Sequence, residues 1–106
     1  MFNIDEKNRI KITRGDTAFI TISVDGYKMA ENDKLTFSVK YDAEDTEYLF
    51  TKQADEDNVI HIEPQDTKNA YFDKYIYDIQ LTTTNGDVFT IIEPTTFNIT
   101  KEVTIW

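Results

Sequence analysis

The side chains with chemistry to offer are mostly carboxylates, since the chain carries 20 Asp and Glu against 11 Lys and Arg. Two runs concentrate them, Asp42-Ala43-Glu44-Asp45 and Asp55-Glu56-Asp57-Asn58, and a hard cation such as Ca²⁺ takes about six to eight oxygens of this kind. Neither run has the spacing or the glycine of an EF-hand loop, so the expectation is of solvated loops that keep strand edges soluble. His61 is the one histidine and there is no cysteine. A catalytic triad, a multi-histidine metal site, a thiolate nucleophile, a disulfide and a Cys-ligated zinc site are therefore all excluded. The acidic residues scatter without the paired spacing of a glycosidase, and no glycine-rich phosphate loop occurs. The expectation is a non-enzyme with no catalytic residue, no metal and no cofactor.

Three features suit recognition instead. Arg14-Gly15-Asp16 spells a tripeptide that integrins bind on exposed loops, although Gly15 also has the local task of reversing the chain between strands. Tyr27, Tyr41, Tyr48, Tyr71 and Phe72 are candidates for an aromatic platform for sugars, beside the commoner role of such rings as core. Phe19 falls on the polar face of its strand, and a terminal indole is costly to expose. Phe19, Val103, Ile105 and Trp106 are accordingly the expected interface residues.

The elements that must position these groups are extended. In Lys74–Thr82, Tyr75, Tyr77, Ile79 and Leu81 alternate with more polar residues, a period of two that suits a strand with one buried face. Asn85-Gly86 then reverses the chain. A two-residue turn would pair Leu81 with Thr90 and Ile79 with Ile92; a three-residue loop with Gly86 in a bulge pairs Leu81 with Phe89 and Ile79 with Ile91. The second is favoured because it sets Phe89 and Ile91 on the buried face. Tyr75 and Tyr77 have the placement of a tyrosine corner, a phenol bonded to upstream backbone.

Strands are also expected over Arg9–Thr13, over Thr17–Val24 with Ala18, Ile20, Ile22 and Val24 inward, and over Leu35–Tyr41 with Leu35, Phe37, Val39 and Tyr41 inward. Glu47–Lys52 and Val59–Ile62 follow. Pro64–Tyr71 can hold one helical turn with Asp66 or Thr67 as cap, and Pro94 interrupts the ladder before extended chain over Thr95–Thr100 and Glu102–Trp106. Seven to nine short strands rich in Thr, Val and Ile predict an all-β, antiparallel, immunoglobulin-like β-sandwich, with a jelly roll or small barrel as the alternative.

At 106 residues the chain fits one domain spanning residues 1–106, and 7 Phe, 6 Tyr and 1 Trp suffice for its core. A net charge of −9 and a pI near 4.4 argue against binding to nucleic-acid phosphates or anionic membranes, both of which select Lys and Arg. The N-terminal residues lack the pattern of a signal peptide and no run of about 20 apolar residues occurs, which predicts a chain that starts in the cytosol of the cell that makes it.

Arg14-Gly15-Asp16-Thr17, Leu35-Thr36-Phe37-Ser38-Val39-Lys40, Tyr75-Ile76-Tyr77-Asp78-Ile79-Gln80-Leu81, Thr90-Ile91-Ile92 and Phe97–Thr104, in this order and with comparable gaps, resemble the N-terminal domain of phage baseplate upper proteins. They also resemble small proteins encoded among the tail genes of phages and prophages of Gram-positive bacteria. The resemblance covers nearly the whole chain, and Tyr-x-Tyr-Asp-Ile-Gln-Leu is its most specific piece. Phe72-Asp73-Lys74 stands where the pattern has a glycine. The resemblance implies a non-enzymatic virion structural protein, assembled in the host cytoplasm. As an adaptor or attachment module of the tail or baseplate, it would contact a receptor-binding or fibre protein and further copies of itself. A carbohydrate-binding sandwich and a bacterial surface adhesion domain are the alternative functions.

Overall fold

Asn85-Gly86 reverses the chain through the three-residue loop expected of it. Gly86 sits at φ +90°, its N–H reaches the Thr83 carbonyl at 2.9 Å, and Leu81 faces Phe89 across the ladder. The computed structural model describes residues 2–71 and 74–103. In chain order these form β1 (Asn3–Ile4), β2 (Ile10–Thr13), β3 (Ala18–Thr21), β4 (Lys34–Lys40), β5 (Phe50–Gln53), β6 (Val59–Ile62), α1 (Pro64–Lys68), β7 (Lys74–Thr82) and β8 (Val88–Thr100). The class is all-β. Six strands in the order β1-β2-β8-β7-β4-β5 make one sheet, and β3-β6 make a second, smaller one.

The two sheets share a single core, so the arrangement is a sandwich with one broad and one narrow layer. Period-two alternation places Leu35, Phe37 and Val39 of β4, Tyr75, Tyr77, Ile79 and Leu81 of β7, and Phe97 and Ile99 of β8 inside. Ala18 and Ile20 of β3, Ile22 just beyond it, and Ile60 and Ile62 of β6 close over them. At the centre the Phe37 ring stacks 5.0 Å from Tyr77 and lies 5.9 Å from both Phe50 and Phe97. The Tyr77 hydroxyl donates to the Asn8 carbonyl. Burial, with the nearby Asp5 charge, pushes that phenol up to about 12. The phenol bonds upstream backbone as expected, but its acceptor lies 69 positions away in the β1–β2 turn and not at the corner before its own strand.

Several expectations are corrected. The large sheet is mixed, because β2 runs parallel to β8, Ile10 facing Phe97. Ile79 faces Ile92 instead of Ile91, and Tyr77 faces Thr95, because β8 absorbs one extra residue on each side of the Ile79 pair. Without those bulges Glu93 would fall opposite the buried Tyr77; with them Phe97 meets Tyr75. Pro94 interrupts the ladder as expected, falling in the second bulge between the Tyr77–Thr95 and Ile79–Ile92 pairs, where a strand tolerates a missing N–H and can resume beyond it. Phe89 shares Leu81's face yet is 55% exposed; among the described residues β7 alone pairs β8 there, since β2 begins only opposite Phe97. Tyr41 lies past the end of β4 and is exposed. β3 and β5 are shorter than expected, and Tyr48 precedes β5 in an exposed loop. The N-cap of α1 is Glu63, with Pro64 at the first helical position and Asp66 accepting the Glu63 N–H at 2.8 Å.

Phe37 is fully buried among three rings. Phe37→Ala is expected to cost about 3–5 kcal/mol in urea unfolding, against under about 1 kcal/mol for Phe19→Ala on an exposed face. Equal costs would contradict this placement of the core.

Candidate interaction surfaces

Arg14 follows β2 directly and ties together three segments. Its guanidinium donates to both Glu102 carboxylate oxygens, Nη2 to Oε1 at 2.8 Å and Nε at 3.1 and 3.2 Å. Nη1 donates to the Ala70 carbonyl at 3.0 Å. The Glu102 hydrogen bonds raise the affinity of Arg14 for its proton, and the same fork lowers the pKa of Glu102. Next in sequence, the Gly15 N–H donates at 2.8 Å to the hydroxyl of Thr67, which α1 holds fully buried. The arginine of the Arg-Gly-Asp turn is thus spent inside the fold, and its glycine, at φ +85°, serves the turn.

Two large side chains point outward on either side of this fork. Tyr71 follows Ala70 and is 81% exposed, and Val103 follows Glu102 and is 99% exposed. Of the expected interface residues, Val103 therefore stands on a segment pinned by an ion pair. Phe19 is on another surface, the outer face of β3, 62% exposed, with its ring edge-on to His61 at 5.1 Å. Ile105, Trp106 and Phe72 lie outside the described residues.

The acidic loops spend their carboxylates on their own backbones. Asp55 Oδ1 accepts the N–H groups of Asp57 and Val59 at 2.9 and 3.0 Å, its Oδ2 lies 2.8 Å from His61 Nε2, and Asn58 takes φ +63°. Asp5-Glu6-Lys7-Asn8 repeats the device: Asp5 Oδ1 accepts from Lys7 and Arg9, and Asn8 sits at φ +64°. The shared Asp-x-x-Asn pattern is the turn signal that sequence reasoning passed over. In both loops these backbone bonds lower the aspartate pKa. Asp42 and Asp45 likewise accept from Glu44 and Asp42 N–H groups. A hollow of about 340 Å³ bordered by Asp33, Asp55 and Glu56 is acidic, but among the described residues no three His, Asp or Glu side chains are placed to hold a metal ion.

Two further clamps set where surfaces lie. Lys52 of β5 bonds Glu63 and Asp66 at 3.1 Å each, linking the broad sheet to the start of α1. Desolvation disfavours its charge, and the two carboxylates outweigh that and raise its pKa. Asp33 gathers the 25–33 loop and the β7–β8 loop: it accepts from the Tyr27 hydroxyl at 2.6 Å, Ala30 N–H at 2.8 Å and Thr84 N–H at 2.8 Å. Tyr27 is thereby bound to a loop, Tyr41 packs edge-on to Tyr75, and Tyr48 lies under the Lys40 ammonium. The tyrosines do not form one platform.

Comparison of the chain with family models, with curated proteins and with solved structures finds no match.

The bonds to Asp33, first that from Tyr27, lower its pKa from 3.8 to about 2. A depressed folded-state pKa stabilises the fold above the unfolded value, and that contribution is lost as pH falls through the folded one. Thermal melting of the wild type should therefore fall between pH 3.8 and about 2 more steeply than that of Asp33→Asn. Parallel melting curves for the two proteins would refute the clamp.

Proposed function

We propose that the chain is a non-enzymatic structural module of a phage or prophage virion. On this reading it is an immunoglobulin-like adaptor of the tail or baseplate that joins other virion proteins, such as a receptor-binding or fibre protein, and repeats as a homo-oligomer. The reading draws on the sequence resemblance around Tyr75–Leu81. The observation that carries it is the pair Tyr71 and Val103, held outward on either side of the Arg14 fork.

Side chains presented by a pinned backbone lose little conformational freedom on docking, so more of their contact energy appears as affinity. Repetition around a symmetry axis then turns weak contacts into a durable joint. The net charge of −9 keeps the unassembled module soluble and steers it towards a basic or neutral partner surface. No cofactor, nucleic acid or membrane enters this mechanism.

The test is composition and assembly. Mass spectrometry of purified particles from the source strain should find the chain at a fixed ratio to tail proteins. The double variant Val103→Asp, Tyr71→Ser should melt within about 0.5 kcal/mol of wild type yet be recovered in particles at least about tenfold less. A chain missing from the particles, or a variant incorporated at the wild-type level, would overturn the proposal.

A further inference from the structure

The outer face of the broad sheet carries a hollow of about 120 Å³ built around Asp78. Its floor is the outward row of β4 and β7, where Ser38 faces Asp78, Lys40 faces Ile76 and Thr36 faces Gln80. Its walls are Tyr48 from the 41–49 loop and Pro94 from the second bulge of β8. That bulge is what opens the site. The register skips from Ile79–Ile92 to Tyr77–Thr95, so Asp78 lies beside a gap in the ladder, the setting in which bulges re-aim side chains at ligands.

The polar groups around this hollow are mixed in sign and mostly fixed. Gln80 Nε2 is held 3.4 Å from the Thr90 hydroxyl, and the Ser38 hydroxyl 3.2 Å from that of Thr51. The Lys40 ammonium lies 4.9 Å above the centre of the Tyr48 ring. The Asp78 carboxylate accepts no hydrogen bond among the described residues. Desolvation, opposed by Lys40 and reinforced by Glu93, raises its pKa. A half-buried carboxylate without a donor is an acceptor waiting for one.

We infer that this hollow binds a neutral sugar ring, with hydroxyls donating to Asp78, the Lys40 ammonium and the Gln80 amide meeting further hydroxyls, and the apolar face of the ring against Tyr48. A cationic ligand would meet Lys40 and an anionic one Asp78. A polyhydroxylated neutral ring meets neither penalty and uses acceptor, donor, amide and aromatic face together. This site goes beyond the adaptor role and stands whether or not that role does.

The test is a titration of the isotope-labelled chain with neutral hexoses and N-acetylhexosamines, followed by backbone amide shifts. At least one sugar should give saturable shifts at Ser38, Lys40, Asp78 and Gln80, with a Kd on the order of millimolar. Tyr48→Ala and Asp78→Asn should each weaken binding about tenfold, and Phe89→Ala, outside the hollow, should leave it unchanged. Three outcomes overturn the inference. They are no saturable shift with any sugar of the panel, shifts that survive both variants, and saturation by an arginine or lysine amide in place of sugars. The last would assign the hollow to a basic side chain of a protein partner.

Discussion

Glu93 and Pro94 cannot enter the core, and Phe97 cannot leave it; the structure turns on how one strand satisfies both. The two bulges of β8 absorb two extra residues, so alternation lapses around Ile92 and resumes with Phe97 and Ile99 inward. Because two single-residue shifts restore the parity of a period-two pattern, Phe89 still shares a face with Leu81 at the far end. The aromatic cluster then closes, with Phe97 against Phe37, Phe50 and Tyr77. Over Val88–Thr96 β8 is paired by β7 alone among the described residues, and there the bulges, Glu93 and Pro94 blunt an open edge that a flat apolar strand would offer to any passing chain. The same irregularity also makes the gap beside Asp78. Core register, edge protection and the outer-face hollow follow from one local accommodation.

The narrow layer depends on polar clamps more than on its own pairing. β3 and β6 exchange four residue pairs, few for an independent ribbon, and are held down by buried Ala18, Ile20, Ile60 and Ile62. Lys52 reaches across to Glu63 and Asp66, and Thr67 fixes the turn that leads into β3. The Arg14 fork then joins that turn to the segment after β8. Surface ion pairs add little singly; here each joins segments distant in sequence, so their effect is to fix positions.

What was legible in the sequence was local. The Asn-Gly loop, the inward faces of β3, β4 and β7, and the all-β class follow from periodicity and turn chemistry, which a chain carries in adjacent letters. What was illegible needed a neighbour. Phe89 reads as core because alternation reports a face without reporting whether anything covers it. The parallel pairing of β2 with β8 joins opposite ends of the chain, and no local pattern encodes it. The bulges were half-visible, since Glu93-Pro94 marked the interruption while only the demands of Phe97 and Tyr75 fixed its form. The acidic loops were correctly expected to be solvated, yet the reason for their composition, an aspartate bonding backbone N–H groups two and four residues on with asparagine in the left-handed region, lay in Asp-x-x-Asn spacing that charge counting conceals. Phe19 and Val103 were legible as outward residues, whereas the fork that pins Val103 was not.

The partnership of β2 with β8 sets a timetable for biosynthesis. Arg14 and Glu102 are 88 positions apart, so a ribosome adding roughly 5–20 residues per second exposes β2 for several seconds before its partner exists. Through that interval Ile10 and Ile12 have only β1 beside them, and the hairpins of the middle of the chain must assemble first. Closure is therefore a late, non-local event of the kind that slows β-rich folding. Arg9, Lys11 and Arg14, which flank these isoleucines, keep the nascent segment solvated until β8 emerges.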